Sequence, residues 1–121
     1  MQPIRSLLLT LSLLAAAASL AQAHAFLDHA DPKVGSQVHG SPASVKIWYT
    51  EELEPAFTTV QVFDASGSEV DQKGAKVDAA DAKLLTLPLP PLQPGKYKVV
   101  WKAVATDTHI THGTFEFEVL P

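Results

Sequence analysis

The sequence predicts an all-β sandwich of about seven short strands, and three observations carry that expectation. Short runs rich in β-branched and aromatic residues recur along the chain. Pro, Gly, Ser and Asp clusters punctuate them, and no long helical period competes with them.

Ser44 to Thr50 (SVKIWYT) places Val45, Ile47 and Tyr49 on one face and Lys46 and Trp48 on the other, the period-two pattern of a half-buried strand. Phe57 to Asp64 continues with Val60 and Val62 opposite Gln61, then breaks at Ala65-Ser66-Gly67-Ser68, a turn. Val70 to Ala82 is polar and rich in Asp, Lys and Ala, the weakest stretch for strand structure. Lys83 to Leu89 recovers an apolar run, which Pro90-Pro91-Leu92-Gln93-Pro94-Gly95 ends in a loop or sheet edge. Gly95 to Ala105 holds Tyr97, Val99, Trp101 and Ala103 at period two, with Trp101 expected in the core. Thr114 to Leu120 sets Phe115, Phe117 and Val119 against Glu116 and Glu118, a second strong strand.

The chain has 121 residues, and residues 1–23 read as a signal peptide. Arg5 precedes a Leu- and Ala-rich run from Leu7 to Leu20, and Ala21-Gln22-Ala23 has the small-x-small pattern of a cleavage site. The apolar stretch Leu7 to Ala21 spans 15 residues and is interrupted by Thr10, Ser12 and Ser19, short of the roughly 20 needed to cross a bilayer. Residues 24–121 are then one exported domain beginning at His24, expected in a periplasm as a monomer that does not span the membrane. Without Arg5 that domain carries 8 Lys and 13 acidic residues, a net charge of −5 with His neutral, which argues against nucleic-acid partners. A core of this size excludes a two-domain enzyme. The absence of Cys excludes disulfide scaffolds, thiolate metal sites and Cys nucleophiles.

A chain that starts with His offers a metal two nitrogens from one residue, because the α-amine and the imidazole Nδ1 close a six-membered chelate ring. The competing reading of His24 is a frayed first residue. Near the other end stands Asp107-Thr108-His109. If that segment is extended, Asp107 and His109 point to the same side while Thr108 points away; the commoner meaning of D-x-H is a capping Asp beside a surface His. Together, His24, Asp107 and His109 would supply three nitrogens and one oxygen. That set suits tetragonal Cu(II), and Zn(II) would accept the same donors in a tetrahedron.

Three blocks of sequence carry a resemblance. His24-Ala25-Phe26-Leu27 with Ala30-Asp31-Pro32-Lys33-Val34-Gly35, then Ile47-Trp48-Tyr49-Thr50-Glu51-Glu52-Leu53, then Pro94 to His109 with Gly113 and Phe115 to Val119, together resemble the CopC family of periplasmic copper-binding proteins. The resemblance implies an Ig-like or cupredoxin-like Greek-key β-sandwich that binds Cu(II) through the His24 amine and imidazole, Asp107 and His109. It also implies an inner-membrane copper importer of the CopD type as partner. Two positions depart from the family pattern: Ile110 stands where members often have Pro, expected to loosen the turn, and His112 replaces a small or hydroxyl residue. Some members carry a Met-rich Cu(I) site, but the only Met here is Met1, so a Cu(II)-only type is expected.

His29 and His39 read as solvated surface residues, while His112 is open between surface residue and auxiliary ligand. Glu51 is more simply an exposed strand-end carboxylate than an outer-shell partner, and Trp48 is left unassigned. The leading functional expectation is a non-enzymatic Cu(II) carrier or buffer serving copper tolerance or delivery. The alternative from another class is an N-terminal His-brace copper oxygenase of the lytic polysaccharide monooxygenase kind. A metal-free Ig-like module would explain the sandwich but neither His24 nor the D-x-H.

Overall fold

A computed structural model of the protein describes residues 24–121; the signal peptide expected over 1–23 lies outside the described residues. Eight strands run in chain order: β1 (Leu27–Asp31), β2 (Gln37–His39), β3 (Ser44–Tyr49), β4 (Thr59–Asp64), β5 (Lys76–Val77), β6 (Leu84–Pro88), β7 (Gly95–Val104) and β8 (Ile110–Leu120). They form two four-stranded sheets, ordered β1-β3-β6-β5 and β2-β8-β7-β4. Among the described residues there is no helix. The sandwich is as expected, with eight strands where about seven were anticipated.

The period-two patterns explain the layers. In β3 and β6, Val45 faces Leu87 and Ile47 faces Leu85 in register, and all four are buried. In the other sheet, Val62 pairs with Val99, and Val99 with Phe115, burying the opposite wall of the same core. Burying each such side chain contributes about 1.5–3 kcal/mol, so alternation fixes which face turns inward. One slip in register would expose the whole set.

Sequence reasoning missed both β1 and β2 as strands. β1 (LDHAD) buries only Ala30 fully, and β2 is three residues pairing in parallel with Glu118 to Leu120 of β8. Within the polar stretch 70–82 a two-residue strand does form, Lys76–Val77 against Leu85–Thr86. That stretch also covers the free edge of β4, because Val70 N–H donates to Val62 O (2.8 Å) and Val62 N–H to Asp71 Oδ2 (2.8 Å).

One end of the sandwich gathers the start of β1, β4, β6 and β8 and the finish of β3, β5 and β7. Backbone bonds lace these termini together: Thr50 N–H to Phe26 O (2.8 Å), Leu53 N–H to Ala82 O (2.9 Å), Glu54 N–H to Val104 O (2.7 Å) and Thr106 N–H to Glu52 O (3.2 Å). His24, Asp107 and His109 all lie at this end.

Candidate metal centre

His24 precedes β1 but does not hang free, because the next residues are fastened on two sides. Thr50 Oγ1 accepts from Phe26 N–H (3.0 Å) and donates to His24 O (3.3 Å). From β8, Thr111 Oγ1 donates to Ala25 O, and Ala25 is completely buried. His24 is thus placed by its neighbours and half-buried.

The segment carrying Asp107 and His109 is a turn, not the extended strand the spacing argument assumed. Thr108 takes φ = +75°, a left-handed conformation that a β-branched residue adopts at a cost. Thr108 N–H donates to Ala105 O (2.8 Å), and Ala105 N–H to His109 O (3.0 Å), closing the β7–β8 connection. The two side chains converge all the same, because the tight turn folds His109 back over Asp107. Asp107 Oδ1 accepts from His109 N–H (3.3 Å), and Asp107 Oδ2 lies 3.0 Å from His109 Nδ1.

The His24 and His109 rings approach with centroids 4.5 Å apart and planes tilted by 48°, although 85 positions separate them in sequence. Phe26 stands beside them, its ring centroid 6.0 Å from that of His24. The hydrogen bond from the His109 side chain holds the Asp107 carboxyl below the usual carboxylate range; the His109 backbone N–H and the charges of His109 and His24 act in the same direction. Asp107 is therefore an anion set beside two imidazoles. The three side chains meet two at a time: among the described residues no three His, Asp, Glu or Cys side chains stand together as a ready-made ligand cage.

The remaining residues singled out by sequence sort differently. His112 faces outward on β8, exposed and opposite Lys102 of β7, while its neighbour Thr111 turns inward to Ala25. Glu51 is exposed in the loop after β3, and His39 is exposed on β2. His29 is exposed but not merely solvated: its Nδ1 lies 2.7 Å from Asp28 Oδ2, and its ring stacks on half-buried Trp48 at 4.4 Å and 10°. Trp101 is in the core as expected, its ring edge-on to Tyr49 at 5.2 Å. Thr50 and Thr111, which pin the first residues, were missed; a lone threonine hydroxyl carries no periodic signal.

Together these features describe a small two-sheet β-sandwich that brings His24, Asp107 and His109, none of them a sulfur donor, to one end. The CopC domain family model matches residues 27–120, and the chain belongs to the CopC family. It is 33% identical over 107 residues to copper resistance protein C of Pseudomonas syringae pv. tomato, covering 84% of each chain. It is also 33% identical over 98 residues to protein YobA of Escherichia coli K12, covering 80% of this chain and 79% of that one. Among solved structures it resembles CopC of Methylosinus trichosporium OB3b, with a TM-score of 0.77 and 37% identity over 81% of this chain and 95% of that chain. No helix among the described residues is long and apolar enough to cross a membrane.

Proposed function

We propose that the protein is a periplasmic, non-enzymatic Cu(II) carrier or buffer, with His24, Asp107 and His109 as the ligands and the α-amine of His24 as the fourth donor once residues 1–23 are removed. The observation that carries this reading is the 4.5 Å approach of the His24 and His109 rings with Asp107 bonded to His109. The relatives named for copper resistance support copper as the metal. The oxidation state follows from the donors: imidazole, amine and carboxylate favour Cu(II), whereas Cu(I) wants sulfur. Copper is cargo here, bound and released without a bond being made or broken in a substrate.

The chain's own residues do three things in this scheme. Thr50 and Thr111 hold the His24 end against the β7–β8 turn. Asp107, anionic at neutral pH, offsets the charge of the entering dication. His109 would supply an imidazole nitrogen to the ion. A CopD-type inner-membrane importer is the proposed recipient.

The test is Cu(II) titration followed by EPR, comparing a chain that begins at His24 with one carrying a single Gly ahead of it, and with His39→Ala. One equivalent of Cu(II) in a tetragonal field with nitrogen couplings is expected, lost or strongly weakened by the added Gly and unaffected by His39→Ala. A spectrum without nitrogen couplings, or an extended chain that binds as tightly, overturns the reading.

A further inference from the structure

Large exposed apolar side chains are few among the described residues: Phe26 (57% exposed), Val34 (55%), Phe57 (61%) and Ile110 (56%). Three of these four lie at the end that carries His24, Asp107 and His109. Phe26 follows Ala25, whose carbonyl is bonded to Thr111, the neighbour of Ile110. Ile110 pairs across the hairpin with Val104. Val104 in turn exchanges hydrogen bonds with Thr58, the neighbour of Phe57: Thr58 Oγ1 donates to Val104 O (3.4 Å) and accepts from Val104 N–H (3.1 Å). Val34 belongs to the opposite end, next to Gly35, whose N–H donates to Glu116 O (2.7 Å).

Charge is divided just as unevenly. The segments 24–28, 50–58 and 104–112 carry Asp28, Glu51, Glu52, Glu54 and Asp107 and no Lys or Arg. The adjoining 78–83 turn, bonded through Ala82 O to Leu53, adds Asp78, Asp81 and Lys83. This end therefore holds seven carboxylates against one lysine, a net of −6 with His neutral. The rest of the described chain has six carboxylates and seven lysines, a net of +1. The domain's excess negative charge thus lies at the end that carries the apolar trio.

Steering of a small cation would explain the carboxylates but not the phenyl rings, since exposed apolar side chains do nothing for a hydrated ion. Apolar anchors inside a polar, singly charged rim are what a protein docking face presents. We propose that this end is the docking face for a protein partner that presents Lys or Arg residues around an apolar patch, with Phe26, Phe57 and Ile110 as the anchors. Its role as the face across which copper is handed over rests on the copper-carrier reading; the docking itself does not. A partner seated on Phe26 would lie beside the His24 ring, 6.0 Å away between centroids, so docking and access to the metal site share one surface.

The test uses ¹⁵N-labelled protein purified from the periplasm, titrated with a short amphipathic helix of Lys and Leu and with its scrambled isomer, which has the same charge but no apolar face. Shift changes confined to Phe26, Glu51 to Phe57 and Asp107 to Ile110 are expected, with the amphipathic peptide binding at least about tenfold tighter than the isomer. Phe57→Ser with Ile110→Thr should abolish that preference while leaving the unfolding midpoint and Cu(II) uptake as in the wild type, both side chains being exposed. Equal binding of the two peptides, or shifts elsewhere on the sandwich, overturns the proposal. So does binding of phosphatidylcholine vesicles through the same three residues, which would assign the face to lipid, or concentration-dependent shifts there in the free protein, which would assign it to self-association. Loss of Cu(II) uptake in the double variant also overturns it, since those side chains would then belong to the metal site. A wild-type protein that takes the peptide but no Cu(II) refutes the carrier reading and supports the docking face.

Discussion

The indole of Trp101 lies directly over Gly113, its partner across the β7–β8 hairpin. A Cβ at residue 113 would stand 2.2 Å from Trp101 Cζ2 and 2.5 Å from Cε2, inside any permitted contact. Gly113 is needed here for the space it leaves rather than for backbone freedom. Trp101 is rigid and packed against Tyr49, so the ring cannot swing aside cheaply. Gly113→Ala should destabilise the domain by about 3 kcal/mol, read by urea unfolding followed through tryptophan emission. A loss below about 0.5 kcal/mol, within the range of ordinary surface substitutions, would mean that the hairpin yields where the packing says it cannot.

Tyr49 and Tyr97 make opposite predictions. The Tyr49 hydroxyl is buried without a hydrogen-bond partner, and burial pushes its pKa up, whereas the Tyr97 hydroxyl donates to Gln93 O at 2.5 Å. Removing an unpaired buried hydroxyl relieves a desolvation cost, so Tyr49→Phe should be neutral or stabilising by about 1 kcal/mol, while Tyr97→Phe should lose about that much. Thermal unfolding of the pair decides it: Tyr49→Phe melting below Tyr97→Phe contradicts the assignment.

Acidification from pH 8 to pH 5 should weaken Cu(II) binding, because protons compete with the ion for its nitrogen donors. Asp107 acts in a different window. Its folded-state pKa is lowered from 3.8, so what it contributes is present above its unfolded value and lost only as pH falls through the folded one, below about pH 4. Asp107→Asn should therefore lower affinity at every pH from 8 to 5, by about 10- to 100-fold. Competition titration against a Cu(II) chelator across that range measures the loss, and wild-type affinity in the variant would falsify the carboxylate's role as a ligand.

Reduction separates this chain from sulfur-bearing relatives. The Escherichia coli PcoC structure, 31% identical with a TM-score of 0.69, is described as a methionine-rich copper resistance protein. Here the single Met is Met1 and there is no Cys, so residues 24–121 offer Cu(I) no thioether or thiolate. Ascorbate should release copper to a Cu(I) chelator, and reductant with oxygen should leave polysaccharides uncut above a free-copper control. Retention of Cu(I) comparable to Cu(II), or release of oxidised oligosaccharides, would favour the oxygenase alternative instead.

The long strands were legible because burial and alternation coincide in them: Tyr97, Val99, Trp101 and Ala103 on β7, and Phe115, Phe117 and Val119 on β8, read inward one by one. β1 and β2 were not, since Leu27–Asp31 buries a single alanine and Gln37–His39 contributes one half-buried valine, leaving no pattern to detect. The Asp107–His109 pair was found through a wrong backbone, because a D-x-H brings its ends together in a tight turn as well as in a strand. His24 meeting His109 is a tertiary fact that local periodicity cannot contain; donor chemistry and the resemblance, not spacing, joined the two ends of the chain. The charge division was hidden for the same reason. Glu51 to Glu54 and Asp78 to Asp81 lie well apart in sequence until Leu53 N–H and Ala82 O bring them side by side.

The two halves of the candidate centre come from different sheets, His24 leading into β1 of one and Asp107 with His109 turning between β7 and β8 of the other. The hairpin half forms by local closure, whereas the His24 half meets it only when the two sheets come together, a contact across 85 positions and the slower kind of event in folding. A metal held by both is a clasp across the sandwich. It binds the closed state and not the parted one, so loading raises the free energy of separating the sheets by RT ln(1 + [L]/Kd). On the proposed carrier reading, a chain that unfolds would let go of its ion, which makes retention of copper a report on the integrity of the whole domain.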